Sequence, residues 1–198
     1  MPAPLSIIIP TLNAASDLPE CLQALMPGLE LGLIREVIVS DGGSDDATPR
    51  IAGDTGATWI AGASGRGAQL AAGADTARGD WLLFLHADTY LSPDWAERAA
   101  HHMERRAESA AAFTLRYRSD DRAARWLEAR ANRRARMFGL PYGDQGLLIS
   151  RKLYDAVGGF ADVPLMEDVM IARALGKKRL VLLSADARTS AEKYERDG

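Results

Sequence analysis

Glu36-Val37-Ile38-Val39-Ser40-Asp41-Gly42-Gly43-Ser44-Asp45-Asp46 decides the fold class of this chain. Its apolar residues 37–39 belong to a buried strand over 36–40, and the Asp/Gly/Ser run behind them is the turn that ends it. The same arrangement returns where the apolar run 81–85 closes on His86-Ala87-Asp88. Outward from these two, residues 5–10 read as an uninterrupted strand ended by Pro10, which cannot donate to a central ladder. Residues 57–61 are extended. Helical patterns alternate with these strands: from Ser16 or Asp17, either able to cap, to about Met26 with Pro19 in the first turn, then 47–53, 67–77 and 93–106. Strand-helix alternation is the signature of βαβ units, so the expected fold is α/β, a mostly parallel central sheet flanked by helices. In such sheets ligands bind at the carboxyl ends of the strands, where Asp41 and Asp88 fall. The second half is less regular, with strands expected over 110–117, 146–150 and 180–184 and helices over 121–137 and 167–175, the latter stopped by Gly176.

The 198 residues suit one domain, with a ligand-binding half over about 1–92 and a completing half over about 93–198. A formal charge of −3 argues against nucleic-acid binding driven by overall positive charge. One local exception is basic: from Arg116 to Arg136 there are eight arginines against Asp120, Asp121 and Glu128. Most simply the arginines of 122–136 are a solvated helix face, with Trp126, Leu127, Ala131, Met137 and Phe138 turned inward or against a partner. The other reading is peripheral contact with an anionic membrane or a phosphorylated acceptor. The lone Cys21 reads as a buried thiol in a reducing compartment. The apolar run 5–9 is too short for a signal core and no stretch approaches a membrane span, so a soluble, cytoplasmic protein is expected.

Each candidate group has an ordinary alternative. Asp41 is placed to accept from a ribose or base, or simply makes a turn in which Ser44 or Asp45 caps the next helix. Gly62-Ala63-Ser64-Gly65-Arg66-Gly67 opens a helix whose amides face a phosphate, with Arg66 beside it, or Arg66 is solvated. Its spacing is not the dinucleotide fingerprint. His86 and Asp88, two apart on an extended segment, point the same way and suit Mn2+ or Mg2+ together with phosphate oxygens; alternatively they are a core histidine and a turn cap. Glu167-Asp168 opens a helix, where acids are ordinary, or supplies a general base whose proton affinity the neighbouring charge raises. His101 and His102 are expected at the surface.

Together the segments resemble the inverting family 2 glycosyltransferases of the GT-A type, in a short stand-alone bacterial subgroup. Ser6-Ile7-Ile8-Ile9-Pro10-Thr11-Leu12-Asn13, the 36–48 stretch, Gly65-Arg66-Gly67, Leu83-Phe84-Leu85-His86-Ala87-Asp88, Gly143-Asp144-Gln145, Gly158-Gly159-Phe160 and Glu167-Asp168 carry the likeness. It implies a nucleotide-diphospho-sugar donor bound by Thr11, Asn13, Asp41, Arg66 and Asp88, with Asp88 holding Mn2+ or Mg2+. It also implies Asp144, Gln145 and Glu167 on the acceptor, Asp168 as catalytic base, and sugar transfer to an acceptor hydroxyl with inversion. Two features depart from the pattern: His86 stands where the metal motif usually begins with Asp, and Thr189-Ser190 is followed by Ala191-Glu192-Lys193 where some relatives carry paired basic residues, with Lys193 left to supply that charge. No Gln-x-x-Arg-Trp motif is present, so a polymer synthase is not expected. The rival readings are a nucleotidyltransferase, against which Thr11-Leu12-Asn13-Ala14-Ala15 lacks a glycine-rich basic loop, and a non-catalytic nucleotide-sugar-binding protein, against which Asp168 is present.

Overall fold

The computed structural model describes residues 3–62, 65–119, 121–163 and 166–190; Lys193 lies outside them. The first half runs β1 (Leu5–Thr11), α1 (Leu18–Gln23), α2 (Met26–Glu30), β2 (Ile34–Asp41), α3 (Thr48–Asp54), β3 (Thr58–Ala61), α4 (Arg66–Thr76), β4 (Trp81–Phe84) and β5 (Thr89–Leu91). There follow α5 (Trp95–Arg105), β6 (Ala110–Tyr117), α6 (Arg122–Phe138), β7 (Leu147–Ser150), α7 (Arg151–Ala156), α8 (Glu167–Leu175) and β8 (Leu180–Thr189).

The helix expected to reach Met26 is two helices. Pro27 supplies no amide hydrogen and cannot continue α1, and the Nε1 of Trp95 donates to the Ala24 carbonyl at the break, at 3.1 Å. Asp17 sits at the N-terminus of α1 without making a side-chain cap. Its Oδ1 instead accepts from Tyr90 and Arg118, at 3.2 and 3.4 Å, which ties α1 to the second half. The α3 turn is held neither by Ser44 nor by Asp45: Asp46 accepts from the Thr48 amide at 2.9 Å and from the Ala15 amide at 3.0 Å.

Among the described residues eight strands make one sheet in the order β3-β2-β1-β4-β7-β6-β8-β5. Four of the seven neighbouring pairs are parallel, β1 with β2, β1 with β4, β2 with β3 and β6 with β8. β7 runs against both β4 and β6, so β1, β2, β4, β6 and β8 all end at one edge. β8 extends five residues beyond the expected Ser184 because a register shift between Phe113 and Thr114 lets it follow β6 to its end while its other side pairs with β5.

Apolar side chains of both halves meet in one cluster, from Ile7, Leu18 and Trp95 to Phe113, Leu148 and Ala187. Cys21 lies in it, and burial pushes its thiol far above the usual range, with Asp88 and Asp17 adding to the rise. His102 corrects an expectation: it is buried, with Nε2 at 2.9 Å from the Ser109 carbonyl and its ring edge-on to Trp81. Burial holds its proton affinity below the ordinary value. The helix position was right; the far wall, Trp81, comes from 21 residues earlier in the chain.

Candidate functional site

Parallel β1, β2 and β4 release their chains at the same edge, and the three exits build one cleft. Thr11 and Asp41 are register partners, and the Thr11 hydroxyl donates to Asp41 Oδ1 at 2.8 Å. The Asp41 carboxylate also accepts from the Ser44 hydroxyl and from the amides of Gly43 and Ser44 at 3.1 and 2.8 Å. Burial alone would raise its proton affinity, but these donors outweigh it and hold the carboxyl below the usual range. Asp41 is thus buried beneath the cleft and gives the 42–46 loop its shape; Gly42, not Asp41, lines the wall.

Asn13 reinforces that loop from the other side. Its amide donates to Ser44 Oγ at 2.8 Å and its Oδ1 accepts from the Asp45 amide at 3.0 Å. It adopts a left-handed backbone, φ 51°, a conformation asparagine tolerates better than most residues. Gln69, which the sequence reading passed over, closes the floor: Nε2 donates to the carbonyls of Thr11 and Ser40 at 2.6 and 2.8 Å. These carbonyls are the last of β1 and near the last of β2, so one side chain from α4 locks both strand ends. Its only sequence signal was a polar residue on the apolar face of an alanine-rich helix.

The cleft measures about 410 Å³ and is lined by Thr11, Asn13, Arg66, His86, Asp88 and Glu167, with Leu12 exposed at the rim. Arg66 reaches Glu167 with Nη1 at 3.6 Å from Oε1; the arginine is partly exposed and the glutamate buried. This ion pair joins the start of α4 to the start of α8. Gly67 explains the glycine beside it: a Cβ there would lie 2.3 Å from the Ala161 carbonyl oxygen. Gly67→Ala is therefore expected to destabilise the fold by about 1–3 kcal/mol, the range for forcing atoms into a packed contact, read as a lower midpoint in urea. An unchanged midpoint would show that the 161–163 segment yields freely.

A second, smaller, mostly apolar pocket adjoins the cleft through His86 and Glu167. Leu70, Phe84, Tyr142, Phe160 and Ile171 wall it, and Asp168 opens into it. Asp168 Oδ2 accepts from the Gly143 amide at 2.8 Å and Oδ1 from the Val169 amide at 2.7 Å. One donor on each oxygen fixes the carboxylate and leaves each a lone pair for another hydrogen. Gly143 also seats His86, since a Cβ at 143 would fall 2.6 Å from the imidazole Nε2. His86 is thereby placed beside the carboxylate of Asp168 as well as beside Asp88.

Residue 166 is the only other non-glycine with positive φ among the described residues, at 70°, and it directly precedes Glu167-Asp168. Such strain persists where surrounding packing enforces it, and it gathers at functional sites. Asp144 and Gln145 stand behind the pocket wall. Gln145 is fully buried, with Nε2 donating to the Phe113 carbonyl at 3.0 Å, and its Oε1 has no partner among the described residues. It holds β6 under the site and does not line it. The Asp144 Oδ1 is likewise buried without a partner. Burial raises that carboxyl to about 6; Arg134 opposes the rise, and Asp168 and Asp88 add to it. Sequence order brought Asp88, Asp144 and Asp168 no closer than 24 residues apart; the sheet edge brings them within electrostatic reach.

Among the described residues no three histidine, cysteine or acidic groups form a metal cage. Asp88 contributes one carboxylate to the cleft wall, which Asp17 and Glu167 also line.

A sequence profile described as Glycosyl transferase family 2 matches residues 6–161. No curated protein matches the chain. Among solved structures, S. aureus TarS 1-349 superposes with a TM-score of 0.72 at 18% identity, over 98% of this chain and 62% of that one. Glucosyl-3-phosphoglycerate synthase from Mycobacterium tuberculosis, in complex with Mn2+, UDP and glucosyl-3-phosphoglycerate, gives 0.71 at 20% identity, over 98% and 75%. TarS 1-349 in complex with UDP-GlcNAc gives 0.68 at 16% identity, over 94% and 58%. The chain thus spans less than two thirds of the TarS fragment, and at these identities the likeness is one of fold.

Proposed function

The chain belongs to glycosyl transferase family 2, and from that premise we propose that it moves a sugar from a nucleotide-diphospho-sugar donor to an acceptor hydroxyl, with inversion at the anomeric carbon. One observation carries the reading: the 410 Å³ cleft and the pocket bearing Asp168 meet at His86 and Glu167, which supports a donor and a base that face a common boundary.

On this reading Thr11, Asn13 and the loop shaped by Asp41 bind the nucleoside, and Arg66 meets the diphosphate. Asp88 would hold Mn2+ or Mg2+, which when bound would supply charge stabilisation to the departing diphosphate. Arg66 is a permanent cation and adds to that stabilisation from the protein side. Asp168, oriented by the Gly143 and Val169 amides, accepts the acceptor's hydroxyl proton. The freed oxygen forms its bond to the anomeric carbon in line with the breaking bond to the diphosphate, which leaves with the electron pair. Glu167 restrains Arg66 and borders the acceptor side, while Asp144 and Gln145 act from behind the wall.

The donor half of this reading has a direct test. Uridine diphosphate at about 100 times its dissociation constant is worth about 2.7 kcal/mol to the folded state. For a chain of this size that raises the melting temperature by about 5–10 °C. The rise is expected with Mn2+ and to be much smaller with EDTA, and Asp88→Ala is expected to erase the difference. A metal effect that survives in Asp88→Ala would remove that residue from the metal's ligands.

A further inference from the structure

Polar clamps hold the inward face of α6 to the protein. Asn132 brackets Leu115, accepting from its amide at 2.8 Å and donating to its carbonyl at 3.0 Å. Glu128, the helix's only acid, is buried and accepts from the Tyr117 amide at 2.7 Å and from Arg116 at 3.1 Å. With Ala124, Ala131 and Ala135 these residues form the inward face.

The outward face differs from an ordinary solvated one. Positions 126, 130, 133 and 137 fall on one stripe of a 3.6-residue helix, occupied by Trp126, Arg130, Arg133 and Met137. The Arg130 guanidinium stands over the Trp126 ring, 5.4 Å from its centroid. Trp126 and Phe138 are each 61% exposed and Met137 46%. Arg122, Arg125 and Arg136 are exposed along the same helix. At its C-terminus the left-handed Gly139 fits so closely against the turn Lys177–Arg179 that a Cβ would lie 2.6 Å from the Lys177 Cα. The exposed Lys177, Lys178 and Arg179 therefore extend the basic surface beside Met137 and Phe138. Asp121 stands at the opposite end, as the residue before the first turn of α6.

We propose that this face, the outward stripe of α6 with residues 177–179, lies on an anionic lipid surface. The helix is 17 residues long, about 25 Å, and no described helix is long and apolar enough to cross a membrane, so the contact is parallel to the surface. Cations gain from anionic headgroups, Trp126 suits the interface, and Met137 and Phe138 leave water only where an apolar layer receives them. A nucleic-acid backbone offers the cations a partner but gives Met137 and Phe138 none.

The test is co-sedimentation of the full chain with vesicles of phosphatidylcholine alone or with about one third phosphatidylglycerol. Binding is expected to the anionic vesicles and to weaken as salt shortens the screening length. Each exposed cation near the lipid contributes about fivefold in partitioning, so R130Q/R133Q is expected to lose about 25-fold. R50Q/R105Q, the same charge change on α3 and α5, is expected to bind as the parent does. Trp126→Phe is expected to abolish the blue shift of tryptophan emission seen on binding. These side chains are exposed, so circular dichroism and melting temperature should match the parent in every variant. Failure to sediment with anionic vesicles overturns the proposal, as does equal loss in R50Q/R105Q. Tighter retention by single-stranded RNA, lost in R130Q/R133Q, would also overturn it and reassign the face to nucleic acid.

Discussion

Asp168→Asn is expected to keep the donor and lose the transfer. A positioned general base contributes about 10²- to 10⁴-fold, and the amide cannot take the hydroxyl proton. The replacement is nearly isosteric, and its Oδ1 can still accept a hydrogen bond from the Gly143 or the Val169 amide, the two contacts that place the present carboxylate. The thermal shift produced by uridine diphosphate and Mn2+ should therefore survive. Release of uridine diphosphate from UDP-glucose or UDP-N-acetylglucosamine, with water or a panel of sugar hydroxyls as acceptor, should fall by at least a hundredfold. A variant that releases it within threefold of the parent rate would take the base away from Asp168, and Asp144, the nearby carboxyl that burial raises to about 6, would be examined next.

Asp144→Asn is expected to act in the opposite direction, stabilising the fold, and only above mildly acidic pH. Burial first, then Asp168 and Asp88, raise this carboxyl to about 6 against the opposition of Arg134. A carboxyl that holds its proton more tightly when folded leaves stability untouched below the unfolded value near 4. As pH climbs from about 4 to 6 the unfolded chain ionises first, and stability is lost; above 6 the loss is complete and constant. Two units correspond to about 3 kcal/mol, or about 5–10 °C in melting temperature for a chain of this length. Asparagine carries no such penalty. Melting curves of the variant and parent should coincide at pH 4, separate between pH 4 and 6, and run parallel beyond. A constant difference across the whole range would mean that the effect is packing and not ionisation. The coupling places Asp88, Asp144 and Asp168 within electrostatic reach of one another.

Several elements were legible because their physics is local. β6 and α8 begin and end at the expected residues, Ala110–Tyr117 and Glu167–Leu175, since apolar runs bounded by a charged turn or a glycine stop need no distant partner to be recognised. The break before α2 was legible in Pro27 but went unread, whereas β5 was not legible at all: three residues become a strand only because β8 pairs with them. Lys177–Arg179 looked like an ordinary basic turn until Gly139 brought it against the end of α6.

The candidate site divides the same way. Motif and order identified Thr11, Asn13, Arg66, Asp88, Glu167 and Asp168 as residues of one cleft and its adjoining pocket, because strand ends in a parallel sheet share an edge whatever the loops do. Their individual tasks also depend on partners 25 to 101 residues away, from Gly143 on Asp168 to Glu167 on Arg66, which no local pattern encodes. Asp41 is spent on its own loop and on Thr11; Gln69 holds two strand ends; Gln145 is sealed under β6. By itself the sequence determined the family, the alternating strands and helices, and the edge at which chemistry gathers, since periodicity and turn residues act within a few positions. Tertiary structure alone decided which acids are exposed, which are consumed and which repel one another, because desolvation and charge depend on neighbours in space.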